Sequence, residues 1–340
     1  MASRSPRHPG LVTNAARLVL HNIGLADAGL YDVIVTGPGG STTSKAARLE
    51  LNHARLSALS ARAHVSSGAD ILIAGFVLAN ENGPASSAPW SLLVRGVGPA
   101  LKDLGVSGYL PNPHLQLFEL SGSGQTLRAT NGDWGLLTES DRALYTSLSA
   151  KVGAFALPAN SLDAALIRQA PQLSFNTTPQ IYTAHISGAD GQTGVALAEI
   201  YDASLVHARL MAISARARVA SGENVLIAGF VIDGTKPLNV LLRGIGPALA
   251  THGVATALSN PKITLFDRVG RPLETNDDWG TASNLSALRA AIAASGTSSF
   301  ADGSRDAAML VTLDPGVYTL HVSSVDGSPG VALAEIYEAP

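Results

Sequence analysis

The chain contains no cysteine, which excludes disulfide staples, thiolate metal sites and a cysteine nucleophile. Charge is also scarce: Asp, Glu, Lys and Arg make up 14% of the residues, against roughly 25% in an average soluble domain. The net charge of -3 comes without any basic block, so nothing draws the chain to nucleic acid or to an anionic membrane surface. Apolar runs stay short of the ~18 residues that a membrane-spanning helix requires, so no membrane span is expected. Arg4 and Arg7 near the start are not followed by an apolar segment. The expectation is that this is not a signal peptide and that the sequence is a piece of a longer protein.

What the chain does have is apolar mass and turn formers. Hydrophobic residues reach 46%, with 34 glycines and 18 prolines among 340 residues. That length exceeds what one core usually fills, and the glycine and proline content suits short strands separated by turns.

The strongest signal is internal repetition. His53-Ala-Arg-Leu-Ser-Ala-Leu-Ser-Ala-Arg-Ala63 returns as His207-Ala-Arg-Leu-Met-Ala-Ile-Ser-Ala-Arg-Ala217, with 9 of 11 positions identical. Leu72 to Val77 recurs unchanged at Leu226 to Val231, and Gly194 to Tyr201 at Gly330 to Tyr337. Between them, Leu93-Val-Arg-Gly-Val-Gly-Pro-Ala-Leu101 matches Leu241-Leu-Arg-Gly-Ile-Gly-Pro-Ala-Leu249. The offset falls from 154 residues at the first block to 136 at the last, so the first copy is 18 residues longer. Two of the longer stretches, 79–89 and 169–180, are polar or proline-bearing and are expected to be surface loops.

Within each copy the pattern is that of strands. Leu115-Gln-Leu-Phe-Glu-Leu120 and Tyr318-Thr-Leu-His-Val-Ser323 alternate, and Ile71 to Val77 is an apolar run of buried-strand length. One helical stretch interrupts each copy, at 138–152 and at 283–294. These features predict an all-β chain of tandem, jelly-roll-like β-sandwich domains, each with one short helix. The boundaries are 1–52 for a partial N-terminal segment, 53–203 for the first repeat and 204–340 for the second.

Two resemblances sharpen this reading. Ile263-Thr-Leu-Phe-Asp267, Asn276-Asp-Asp278 and Pro315-Gly-Val-Tyr-Thr-Leu-His-Val322 resemble bacterial pre-peptidase C-terminal β-sandwiches, found on secreted enzymes and surface proteins. In the N-terminal segment, Asp27-Ala-Gly-Leu-Tyr31 resembles the tyrosine corner of immunoglobulin-like domains. There Pro38-Gly39-Gly40 would turn the last hairpin, and Val33 stands in place of the second cysteine. About fifty residues hold only the last strands of such a fold, so its open edge could pair with a neighbour and drive self-assembly.

Three constellations bear on chemistry. Asn131-Gly-Asp133-Trp134 and Asn276-Asp277-Asp278-Trp279 place oxygen ligands on a loop, as calcium requires, and the sandwich resemblance implies the same metal. The alternative is plain turn chemistry, in which Asn and Asp satisfy backbone amides. Trp134 and Trp279 could stack on a sugar ring if exposed, or fold over the core edge. Ser161, Asp163 and His185 recur as Ser304, Asp306 and His321, but no nucleophile elbow accompanies them, so a structural cluster is expected in place of a triad. Arg95/Arg243, Asp163/Asp306 and Glu199/Glu335 are expected to form buried or half-buried ion pairs, with the pairing left open.

The function expected is that of a non-enzymatic structural or adhesive module of a secreted or cell-surface bacterial protein. The alternatives are a calcium- or carbohydrate-binding accessory module, meeting a surface glycan or another protein, and a hydrolase.

Overall fold

The structure is a computed structural model that describes residues 2–4, 11–12, 29–49, 54–80, 90–170, 179–203, 208–222 and 224–339. The chain is all-β, as its alternating pattern predicts. The first repeat supplies β6 (Arg55–Val65), β7 (Leu72–Asn80), β8 (Trp90–Val97), β9 (Pro113–Ser121), β10 (Gly124–Asn131), β11 (Ala164–Ala170), β12 (Gln180–Gly188) and β13 (Gly194–Asp202). The second supplies their counterparts in order: β14 (Ala208–Val219), β15 (Leu226–Asp233), β16 (Leu238–Ile245), β17 (Pro261–Asp267), β18 (Pro272–Asn276), β19 (Ala307–Leu313), β20 (Gly316–Ser324) and β21 (Gly330–Glu338).

Each repeat folds into two packed layers of antiparallel strands, β10-β9-β12-β7 over β6-β13-β8-β11 in the first. The second repeats this as β18-β17-β20-β15 over β14-β21-β16-β19. The layers do not stop at the repeat boundary. Edge strand β7 pairs with β14 from Arg216↔Ile73 to Ala208↔Asn80, and edge strand β6 pairs with β15 from Ile227↔Arg62 to Asp233↔Arg55. The two ladders are copies of each other. Ser214 faces Gly75 as Ser60 faces Gly229, and each ladder carries one register shift at the same relative place. The result is two continuous sheets, each half from one repeat and half from the other, related by an approximate two-fold axis.

This crossing follows from the sequence. Leu56, Leu59, Ala61 and Ala63 alternate with outward Ser60 and Arg62, and their counterparts Leu210, Ile213, Ala215 and Ala217 do the same. A strand with one apolar face and two free edges has to pair on both sides or leave a row of amides and carbonyls exposed. Each repeat covers the edges that the other leaves open. At the axis, Leu56 and Leu210 pair directly, each at most 1% exposed. Leu59, Phe76, Leu210, Ile213 and Phe230 belong to one continuous core shared by both repeats.

A third layer covers part of each outer face. Helix α1 (Glu139–Lys151), capped by Thr138 Oγ1 accepting from Asp141 N at 3.1 Å, buries Tyr145 and Leu148 and places Tyr145 in a cluster with Leu93, Val97 and Leu101. A short α2 (Pro247–Ala250) precedes α3 (Leu285–Ala294), whose Leu288, Ala291 and Ile292 cover Leu241 and Ile245. Both long helices fall within the stretches the periodicity assigns to them.

In the N-terminal segment, β3 (Gly29–Gly37) and β4 (Gly40–Thr43) form the hairpin expected around Pro38, ending in the pair Gly37↔Gly40. β5 (Ala47–Leu49) pairs with β3, and so does β1 (Ala2–Arg4), which also pairs with β2 (Leu11–Val12). Asp27 of the tyrosine-corner pattern lies outside the described residues.

Candidate functional site

The Arg-Gly-x-Gly-Pro-Ala-Leu blocks are structural. Arg95 is fully buried, with Nε 3.0 Å from Glu199 Oε2. Its Nη1 donates to Phe155 O at 2.7 Å and its guanidinium lies 4.2 Å from the Phe155 ring centre. Arg243 repeats the arrangement with Glu335 at 3.3 Å, Ser298 O at 2.9 Å and the Phe300 ring at 4.3 Å. Burial raises the pKa of Glu199 and of Glu335, against the lowering pull of the paired arginine. The aspartates expected among these ion pairs do something else. Asp163 accepts from Gly98 N at 2.7 Å and Ala100 N at 3.2 Å, and Asp306 does the same for Gly246 N and Ala248 N at 2.7 and 3.2 Å. A carboxylate is thus spent on the free amides of the helical turn that follows each Gly-Pro. Gly98 and Gly246 are obligatory because a Cβ there would run into the carbonyl oxygen of Leu110 or Leu258.

The Asn/Asp loops close turns. Asn131 Oδ1 accepts from Ala165 N at 3.0 Å while its Nδ2 donates to Asp133 O at 3.1 Å, and Asn276 makes the same two bonds with Ala308 N and Asp278 O. Asp133 caps Gly135 N at 2.7 Å. Asp277 is exposed and Asp278 half-buried, and among the described residues no group of three or more His, Asp or Glu side chains converges on a metal-sized space. These bonds tie each Asn to the backbone, as the turn alternative requires.

Both tryptophans depart from the sugar-stacking expectation. Trp134 and Trp279 are 8% and 2% exposed. Trp134 Nε1 donates to Pro158 O at 3.1 Å and Ser161 Oγ at 3.2 Å; Trp279 Nε1 donates to Ala301 O at 3.3 Å beneath the Arg289 guanidinium. The large apolar area of the indole drives it into the seam between the helical layer and the sheet, so neither ring offers a platform.

The Ser/Asp/His sets do not assemble into triads. Ser161 accepts from Trp134, Ser304 donates to Asp306, and the histidines sit on the outer sheet faces. His185 packs 4.7 Å from the Phe118 ring and His321 4.4 Å from Phe266.

A more suggestive site lies where the repeats meet. On the outer face of the sheet through β7 and β14, cross-strand registers set Arg216, Ile73, His185 and Gln116 side by side. The next row holds Ser214, Gly75, Thr183 and Phe118. Gly75 leaves a dent in the floor, since a Cβ there would strike Ser214 Oγ. The hairpin β9–β10 borders it on one side with Leu120 and Gln125, leaving an open groove of about 540 Å³. Gln125 Nε2 donates to Thr183 Oγ1 at 3.2 Å and lies 3.3 Å from His185 Nε2. Desolvation, reinforced by Arg216, lowers the pKa of His185. A separate hollow of about 500 Å³ lies beside Val77, Met211, Ala212, Tyr337 and Glu338.

The opposite face carries a twin, in which Arg62, Ile227, His321 and Thr264 form one row and Ser60, Gly229, Thr319 and Phe266 the next. Arg62 lowers His321 as Arg216 lowers His185. Each row set takes its Arg and Ser from one repeat and its Thr and His from the other. The sequence marked Ser60 and Arg62 only as members of a repeated block; the surface they join is made by the pairing between repeats.

Among known proteins, no family model and no curated protein matches the chain. A solved structure of PNGF-II is similar over 84% of this chain and 60% of its own length, at 12% identity and a TM-score of 0.21. A likeness of that size carries no argument about fold or activity.

Proposed function

We propose that the chain is a non-enzymatic structural and adhesive module, carried by a secreted or surface-displayed protein. The observation that supports this reading is the reciprocal pairing of β7 with β14 and of β6 with β15, which turns two repeats into one stiff body. A stiff body without a hinge between its halves suits a spacer or a presenting surface, and inter-repeat ladders of this length resist shear between them. The polar groups that could have served catalysis are spent elsewhere: Asp163 and Asp306 on backbone amides, Ser161 on Trp134. No helix among the described residues is long and apolar enough to cross a membrane.

The test is denaturant unfolding followed separately at each end, using a Trp90→Phe/Trp134→Phe double variant, which leaves Trp279 to report the second repeat, and Trp279→Phe, which leaves Trp90 and Trp134 to report the first. Coincident midpoints and slopes are expected for a single cooperative body. Two separated transitions would refute the stiff-body reading. Turnover of ester, peptide or glycoside substrates that disappears in His185→Ala or His321→Ala would refute the non-enzymatic one.

A further inference from the structure

We infer that the groove bounded by Arg216, Ser214, Thr183, His185 and Gln125 binds an extended saccharide bearing a carboxylate, with Arg216 as the anion-recognising group. This deepens the adhesive reading above by naming what the module would adhere to.

Four observations carry it. Arg216 is half-buried on the groove floor and, like Arg62 on the twin face, makes no ion pair among the described residues, while Arg218 on the same strand pairs with Asp70 at 3.5 Å. A guanidinium in a groove without a counter-charge is a ready partner for a carboxylate, which it can grip through two parallel hydrogen bonds. None of the groove-lining residues is acidic. The nearest acid in the rows, Glu335, is 14% exposed and held by Arg243.

The remaining polar lining consists of hydroxyl, amide and imidazole groups, interleaved with Ile73, Leu120 and Leu333. That mixture matches a sugar, whose hydroxyls need both donors and acceptors and whose ring faces are apolar. A peptide fits worse. The floor strands β7, β12 and β14 are each paired on both sides, so no free strand edge is available for a peptide backbone. Finally, the volume of about 540 Å³ is that of a small-molecule site.

The twin around Arg62 and His321 supplies an internal control. There β18 begins only at Pro272 and the turn before it is held by Asp267 and Arg271, 3.1 Å apart. β10 is longer, Gly124–Asn131 against Pro272–Asn276, and brings Gln125 to the groove. The second face has the cation and the histidine without the Gln-bearing hairpin, so one bound saccharide per chain is expected.

The experiment is isothermal titration of the full chain with tetragalacturonate, its fully methyl-esterified form and tetraglutamate. Binding of tetragalacturonate at one site per chain, with the ester and the peptide each at least about tenfold weaker, is the expected result, given the strength of a charge-assisted pair. Arg216→Gln should weaken it at least about tenfold, with Arg216→Lys recovering part of the loss and Arg62→Gln leaving affinity unchanged. Gln125→Ala, a change on the exposed hairpin, should weaken binding while the melting temperature stays at the parent value. The inference is overturned by absence of binding at millimolar saccharide, by equal binding of the ester or of tetraglutamate, or by a loss in Arg62→Gln equal to that in Arg216→Gln. Any of these could occur while the chain still unfolds as one body, so failure here is separable from failure of the structural reading.

Discussion

The two repeats of this chain build the same eight-strand unit with the same buried Arg–Glu pair, the same aspartate cap and the same edge partners, yet they diverge at the surface. The first has the longer hairpin, Pro113–Ser121 with Gly124–Asn131, where the second stops at Asp267 and resumes at Pro272. The first buries a hydrogen-bonded Ser161–Trp134 contact where the second buries a Ser304–Asp306 contact. The shared features are those that would leave a charge or an amide unsatisfied if lost. The hairpin that differs lies in solvent, where water can take over its bonds, and the Ser161 and Ser304 hydroxyls each find a partner within their own repeat. Among the described residues, a Gln-bearing hairpin reaches over the Arg and His of one outer face, where the counterpart hairpin on the other is shorter.

That comparison can be broken most severely by separating the repeats. Residues 54–203 or 208–339 expressed alone would each expose both seam edges, and since the two cross-repeat ladders share one register, each repeat can pair with a second copy of itself. Dimers or aggregates are expected by size-exclusion chromatography with light scattering; a stable, folded monomer would show that the seam is dispensable. Next in size is Gly98→Ala or Gly246→Ala, which drives a methyl into the Leu110 or Leu258 carbonyl. A loss of about 3 kcal/mol or more is expected in urea melts, equal in the two repeats.

Arg243→Met strands the Glu335 carboxylate in the core and should cost ~3–5 kcal/mol, while Arg243→Met/Glu335→Leu should recover most of that loss. The same pair of measurements at Arg95 and Glu199 tests whether the repeats are energetically equivalent. The smallest effect concerns pH. His185 and His321 have folded pKa values below the ordinary 6.5. The unfolded chain therefore binds more protons as the pH falls through that value, and stability is lost from pH 6.5 downward toward the folded pKa. His185→Gln and His321→Gln should each flatten that limb of the stability curve. A parent and a double variant with superimposable pH profiles would show that neither ring is desolvated.

Much of this architecture was legible in the sequence. The repeat blocks mark β6 to β8 and β13 together with β14 to β16 and β21. Alternation marks the strands around Leu115 and Tyr318, and 138–152 and 283–294 contain the two main helices. These are local properties, set by which side chains share a face. The Arg–Glu pairing was not legible, because β8 and β13 lie about a hundred residues apart in the chain and only their register, Arg95↔Glu199, brings the charges together. The fate of Trp134 and Trp279 depended likewise on how far the helical layer overhangs the sheet.

By itself the sequence determined that two copies of one β unit would form and which faces they would bury, since periodicity and turn residues act over a few neighbours. Only the tertiary structure decided that the copies share their sheets. An edge strand's partner is chosen among all strands that offer a matching apolar face and free backbone groups, and β14 offers β7 the same face that β6 offers β15.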